Sequence, residues 1–330
     1  MRNQRTKKTK RVIALGLALA LVLGALALAG CGGNQQGEDA SNHAGQVASE
    51  RTFTDDLGRT VTVTSTERVV AGMGSFANIW ELAGGTLVGA SDDAFSDYQI
   101  TSDAASVGDF SALNAESILA LEPDLVILTG LSSGRGGGVA QTELQGTFEK
   151  AGIPVAYFTV TTFQDYLRML RTCCDLTGDQ KAYEQNGETP AKAIEDIVAK
   201  AKDQKSPSAV VLTTYSGGAR VQSSSTQAGS MLSDLGATNI ADSNKGLLAD
   251  YSVESLIQAD PDVIFLLPMG NSNEAAQDAL RQQTSDNPAW AQLSAVRNDR
   301  VVILDPKLFQ YKPNQHWDQA YRVLYDALFS

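Results

Sequence analysis

One stretch of this 330-residue chain occurs twice. ESILALEPDLVI at residues 116–127 returns 138 residues later as ESLIQADPDVIF at 254–265. In both copies a short helical pattern stops at an acid-Pro-Asp turn and feeds an apolar strand. Proline cannot continue a helix and restricts the residue before it, so the turn is fixed in both places. The two halves of the chain are therefore predicted to carry equivalent substructures. Each copy opens with one glutamate, Glu116 or Glu254, in the first helical turn, where the helix dipole favours a carboxylate. Two readings of this pair stand side by side. The glutamates compensate the dipole on an exposed surface, or they are matched charges, one per half, for two equivalent basic sites on a symmetric partner. The repeat predicts both.

Around the repeat, short continuous apolar runs alternate with helical patterns. Strands are expected at 69–71, 87–89, 125–128 and 155–158, with helices at 76–83, 115–121, 141–151 and 166–176 between and after them. Such alternation means α/β architecture with parallel sheets covered on both faces. From 180 to 202 there is no strand candidate, only Ala, Lys, Glu and Ile at helical spacing, with Gly187 and Pro190 required to bend or interrupt the helix. The β/α alternation then resumes to a last helix at 317–329. The expected division is an export signal at 1–30, a tether at 31–51, an α/β lobe at 52–179, an interlobe helix at 180–206 and a second α/β lobe at 207–330.

The amino terminus carries its own address. Six basic residues and no acid occupy 1–11, an apolar run fills 12–29, and Leu28-Ala29-Gly30-Cys31 closes it. A basic region, an apolar region and small residues before a cleavage point make an export signal. The run is also long enough to span a bilayer as a plain anchor. The Leu-Ala-Gly-Cys ending resembles the lipobox of bacterial lipoproteins, which implies cleavage before Cys31 and acylation of its thiol. Residues 32–51, rich in Gly, Asn, Gln, Ser and acids, bury too little to fold and read as a flexible tether holding an inert His43.

Charge and residue counts exclude several classes. The formal charge of −12 becomes −18 once the six basic residues of the signal are gone, which suits a soluble surface or a basic partner and not nucleic acid. Besides Cys31 there are only the adjacent Cys173 and Cys174, which read as buried thiols on a core helix rather than a disulfide framework. With only His43 and His316, the side chains that converge on a free zinc or manganese ion are lacking. No nucleophile elbow, Walker loop or triad stands out, and neither a catalytic residue nor a bound cofactor is expected. One enzyme reading exists. Gly72-Met73-Gly74-Ser75-Phe76-Ala77 follows a strand and opens a helix, with Asp92 about 20 residues on, as in dinucleotide sites. An exported chain, however, meets little NAD.

Further motifs bring a family into view. TDDLGRTVTV at 54–63, VGDF at 107–110 leading into Asn114-Ala115-Glu116, EPDLVI at 122–127 and GIPV at 152–155 resemble the iron-siderophore and cobalamin class of ABC-importer binding proteins, from about Arg51 to the carboxyl terminus. The resemblance implies two Rossmann-like lobes spanned by a rigid helix, with a ligand cleft between them. It also implies that Glu116 and Glu254 are docking glutamates for arginines of a permease dimer, in charge-assisted bonds. The implied cargo is a small-molecule metal chelate, a ferric siderophore by default, with haem or a corrinoid as alternatives.

Open α/β sheets bind ligands beyond the carboxyl ends of their strands. By that rule the first-lobe candidates are Ser75, Phe76, Asp93, Tyr98, Phe110 and Thr129, followed by Gly130, Ser132 and Arg135. Those of the second lobe are Thr214, Tyr215, Lys245, Leu248, Tyr251 and Met269, followed by Phe309 and Tyr311. The aromatics offer broad contact to a bulky chelate, and Arg135 and Lys245 offer charge to an anionic one. Core packing is the competing reading of each aromatic.

Overall fold

The computed structural model describes residues 50–131, 140–215, 218–249, 251–269 and 273–329. The expected signal, Cys31, His43, most of the tether, Ser132 and Arg135 lie outside the described residues. The chain enters through an antiparallel hairpin, β1 (Arg51–Thr54) and β2 (Thr60–Val63), so Arg51 belongs to a strand and not to the tether.

Two five-stranded sheets follow. The first contains β3 (Val69–Ala71), β4 (Leu87–Ala90), β5 (Ala105–Ser106), β6 (Leu125–Thr129) and β7 (Val155–Phe158), all parallel in the order β5-β4-β3-β6-β7. The second contains β8 (Ser208–Tyr215), β9 (Gly218–Val221), β10 (Thr238–Asn239), β11 (Val263–Pro268) and β12 (Val301–Ile303). Its parallel path is β10-β8-β11-β12, and β9 lies antiparallel along β8. Every residue of β3, β6, β7 and β11 is buried, which is why these strands are unbroken apolar runs.

The repeated segment builds the same corner in each sheet. Asn114 accepts a hydrogen bond from Ser117 N at 3.0 Å and caps one helix, and Ser252 does the same for Ser255 N at 3.1 Å. The residue before each proline, Glu122 at φ 46° and Asp260 at φ 35°, is left-handed and turns the chain off the helix. The aspartate after each proline then fastens the neighbouring strand. Asp124 Oδ2 accepts from Arg68 N at 3.0 Å, just before β3, and Asp262 Oδ2 accepts from Ser208 N at 2.8 Å, at the start of β8. The acid-Pro-Asp turn thus sets the relation between two adjacent parallel strands in both lobes.

A helix at Phe163–Thr177, opened by a Thr162–Asp165 capping box, ends at left-handed Gly178, and Asp179 caps the next segment. From Gln180 to Lys202 the chain stays helical, with a widened π turn at Glu184–Glu188 ahead of Pro190. Pro190 has no N–H for the carbonyl four residues back. That carbonyl, Asn186 O, is taken by the Tyr166 hydroxyl at 2.8 Å, and Thr189 Oγ1 donates to Glu184 O at 3.1 Å. The expected interruption is therefore a widened turn, not a break. Ile194, Ile197 and Ala201 of this helix share one core cluster with Val69 and Ile127 of the first sheet, Val211 and Phe265 of the second, and Tyr321 and Leu324 of the last helix, Trp317–Phe329. The lobes are joined through a common core. Each sheet also has an outer cluster of its own. Cys173 and Cys174 are free and buried within the shared core, where burial pushes the Cys174 thiol up to about 11.

Candidate functional site

The chain leaves β3 toward β4 and β5 on one side, and returns to β6 and β7 on the other. This reversal leaves a crevice beyond the carboxyl ends of β3 and β6, the usual ligand position in open α/β sheets. A cavity of about 430 Å³ occupies it. Met73 and Ser75 line it from the end of β3, Thr129 and Leu131 from the end of β6, and Asp93, Tyr98 and Phe110 from the connections of β4 and β5. Gln310, Tyr311 and Lys312 close it from the second lobe, so the cavity lies between the lobes.

Gln141, 4% exposed, holds the inner wall together. Its Nε2 donates to Gly72 O at 2.6 Å and to Phe110 O at 2.7 Å, and its Oε1 accepts from Thr129 N at 2.9 Å. One amide thereby ties three loops that would otherwise leave buried backbone groups without partners. Sequence reasoning missed Gln141 because nothing around it signals a buried polar residue. The strap at 310–316 was also missed apart from Tyr311. Tyr98 Oη accepts from Lys312 N at 2.9 Å, its ring meets Tyr311 edge-on with centroids 6.5 Å apart, and burial raises its pKa. Asn314, 1% exposed, donates to Ser75 O at 3.0 Å and to Asn78 Oδ1 at 2.8 Å. Gln227 holds the strap from behind, with Nε2 donating to Leu308 O at 3.0 Å and Tyr311 O at 3.1 Å, and Oε1 accepting from Lys312 Nζ at 3.1 Å.

Of the expected cleft residues, the cavity brings together Ser75, Asp93, Tyr98, Phe110, Thr129 and Tyr311. Phe76 and Phe309 are corrected to core residues, 1% and 3% exposed. Phe76 shares the buried face of the helix Gly74–Leu82 with Ile79 and Trp80, so helical periodicity turns it away from the crevice. Lys245 is exposed on Lys245–Ala249 and is not part of the cavity wall. Tyr215 and Tyr251 line a separate concavity with Arg220, Leu248 and Glu254, at the end of the antiparallel β8–β9 pair. Burial pushes the Tyr251 phenol up to about 12.

The glycines of the dinucleotide-like stretch have a packing explanation. A Cβ on Gly72 would sit 2.6 Å from Leu113 and Leu128 side-chain carbons, and one on Gly74 would sit 2.6 Å from Ala94 N. Asp93 Oδ2 accepts the Gly74 N–H at 2.9 Å, so the protein's own carboxylate occupies the helix N-terminus where a pyrophosphate would bind. Burial raises the Asp93 pKa against the opposing bonds from Ser91 and Gly74. Asp92, the other acid of that reading, accepts from Ser106 Oγ.

Glu116 and Glu254 are both exposed at the second position of their helices. The capping bonds come from Asn114 and Ser252, and neither glutamate is in an ion pair among the described residues. Among the described residues there is no cluster of three or more His, Cys, Asp or Glu able to hold a bare metal ion, and no helix is long and apolar enough to cross a membrane.

Comparison with known proteins follows the same lines. The Fe(3+)-citrate-binding protein YfmC of Bacillus subtilis is 26% identical over 301 residues, 88% of this chain and 89% of that protein. The high-affinity heme uptake system protein IsdE of Staphylococcus aureus is 26% identical over 129 residues, 39% of this chain and 44% of that protein. The crystal structure of the iron-uptake system-binding protein FeuA from Bacillus subtilis superposes with a TM-score of 0.66 at 21% identity, covering 84% of this chain and 99% of that one, and shares the fold. The family model described as periplasmic binding protein matches residues 69–308, which takes in both sheets and both copies of the repeat. On that match, the chain belongs to the periplasmic binding protein family.

Proposed function

We propose that this chain is the extracytoplasmic solute-binding component of an ABC importer, that it captures a metal chelate between its lobes, and that a ferric siderophore-type complex is its cargo. The observation that carries the reading is the cavity at the reversal point of the first sheet, closed by the strap of the second lobe. Its volume falls within the usual range for small-molecule sites. Family members are solute-binding proteins and not enzymes, and the relatives named for ferric citrate and heme point to the same cargo class. In this reading Cys31 carries the lipid anchor that holds the protein at the membrane, and Glu116 and Glu254 dock the permease dimer.

A second reading, haem as cargo, is favoured by Met73 and Tyr311 in the cavity wall, side chains of types that ligate haem iron. Titration of the protein with ferric hydroxamates, ferric catecholates, ferric citrate, haem and cobalamin, followed by calorimetry and intrinsic fluorescence, tests the proposal. A ferric chelate is expected to bind with micromolar or tighter affinity. Saturable binding of haem alone, with a shifted Soret band, selects the second reading, and no binding by any of these overturns both.

A further inference from the structure

The cavity wall is acidic as well as aromatic. Resting on the reading of this cavity as the cargo site, we propose that the cargo is cationic: a chelate that presents a positive group, such as an ammonium, to the first lobe, in contrast to a polyanion such as ferric citrate. Asp92, Asp93, Asp97 and Asp109 all line the cavity, and Lys312 is the one basic residue among the described lining. The bonds of these carboxylates go to neutral donors. Asp92 accepts from Ser106, Asp93 from Ser91 and Gly74 N, and Asp109 from Ser111 N and Oγ. None of the four is in an ion pair with an arginine or lysine among the described residues. Lys312 directs its ammonium to Gln227 Oε1.

The aromatic residues point the same way independently. Tyr98 and Tyr311 meet edge to face, and Phe110 lines the same space. Aromatic faces carry negative quadrupole charge and attract ammonium and guanidinium groups. A cavity lined by aromatic side chains and carboxylates is complementary to a cation and repels ligand carboxylates, which would be desolvated against like charge. Burial raises the pKa of Asp93, and no arginine or lysine forms an ion pair with its carboxyl among the described residues.

The test uses matched probes on the mature protein: a linear ferric trihydroxamate with a free terminal amine, the same chelate with that amine acetylated, and ferric dicitrate. The two hydroxamates differ in charge and hardly in shape. The amine form is expected to bind about tenfold tighter than the acetylated form, the scale of one charge-assisted contact in a partly desolvated site, with ferric dicitrate weakest. Combining Asp97→Asn with Asp109→Asn, both exposed and able to tolerate the change, is expected to bring the two hydroxamates within about twofold while leaving the melting temperature in place. Equal binding of the two hydroxamates to the unaltered protein, or tighter binding of ferric dicitrate, overturns the charge inference and leaves the transport reading intact. Failure of every chelate to bind overturns the transport reading and this inference with it.

Discussion

The two lobes share a corner and diverge beyond it. In both, a capped helix, a left-handed acid, a proline and an aspartate lock the start of one strand to its neighbour. At the opposite ends of the same strands the likeness stops. The first lobe opens into a cavity beyond β3 and β6, whereas β8 runs on for eight residues and carries β9 antiparallel along its last four. Two buried glutamines mark the same division of labour. Gln141 binds three loops of the first lobe to each other, and Gln227 binds the strap of the second lobe and receives a lysine. A duplicated scaffold can thus keep the register-setting end of its strands constant and vary the ligand-facing end, because the two ends make separate hydrogen-bond sets.

The equivalence of the two corners is most exposed to attack at Glu116 and Glu254. If both dock a symmetric permease, Glu116→Ala together with Glu254→Ala abolishes uptake in cells, while each single change weakens docking about tenfold or more. Cargo affinity and melting temperature stay the same, since Asn114 and Ser252 do the capping. Loss from one site only would break the symmetry argument, and loss of cargo affinity would move both residues out of the docking role.

The contrast between the glutamines is sharpened by denaturant titration. Gln141→Leu leaves Gly72 O, Phe110 O and Thr129 N without their partner and is expected to cost about 4 kcal/mol. Gln227→Leu strands two carbonyls and removes one partner of Lys312 Nζ, at a cost of about 2 kcal/mol. Equal costs would mean that the strap is as firmly built as the inner wall.

The smallest effect is a difference in sign with pH. Burial holds the Asp93 carboxyl above its usual value, so its folded form binds a proton more readily than the unfolded chain, and its contribution to stability is lost as pH rises through the folded pKa. Asp262 is the reverse. Bonds from Ser208 N and Oγ hold it low, so its contribution is present above the unfolded pKa and is lost as pH falls through the folded one. Carboxyl NMR titration is expected to place Asp93 above and Asp262 below the ordinary aspartate range, and Asp93→Asn is expected to remove the first slope.

Much of this fold was legible because its strands are buried on both faces and its helices are capped. The expected 69–71 and 155–158 strands and the 317–329 helix coincide with the observed elements. The two-residue strands β5 and β10 and the glycine-led β9 were not read, since two to four residues carry no periodic signal. The site divides along the same line. Asp93, Tyr98, Phe110, Thr129 and Tyr311 follow from strand ends, a local property of the sequence. Phe76 and Phe309 were misplaced because an aromatic near a strand end looks alike whether it turns inward or outward. Gln141 and Asn314 make their bonds to backbone far away in sequence, which only folded geometry discloses.

The strap also bears on how cargo gets out. Asn314 and Lys312 are anchored to the first lobe at Ser75, Asn78 and Tyr98, while the lobes behind share one hydrophobic interior. Opening the cavity on the strap side means breaking those bonds, and in the proposed transport role that work falls to the permease that takes the load.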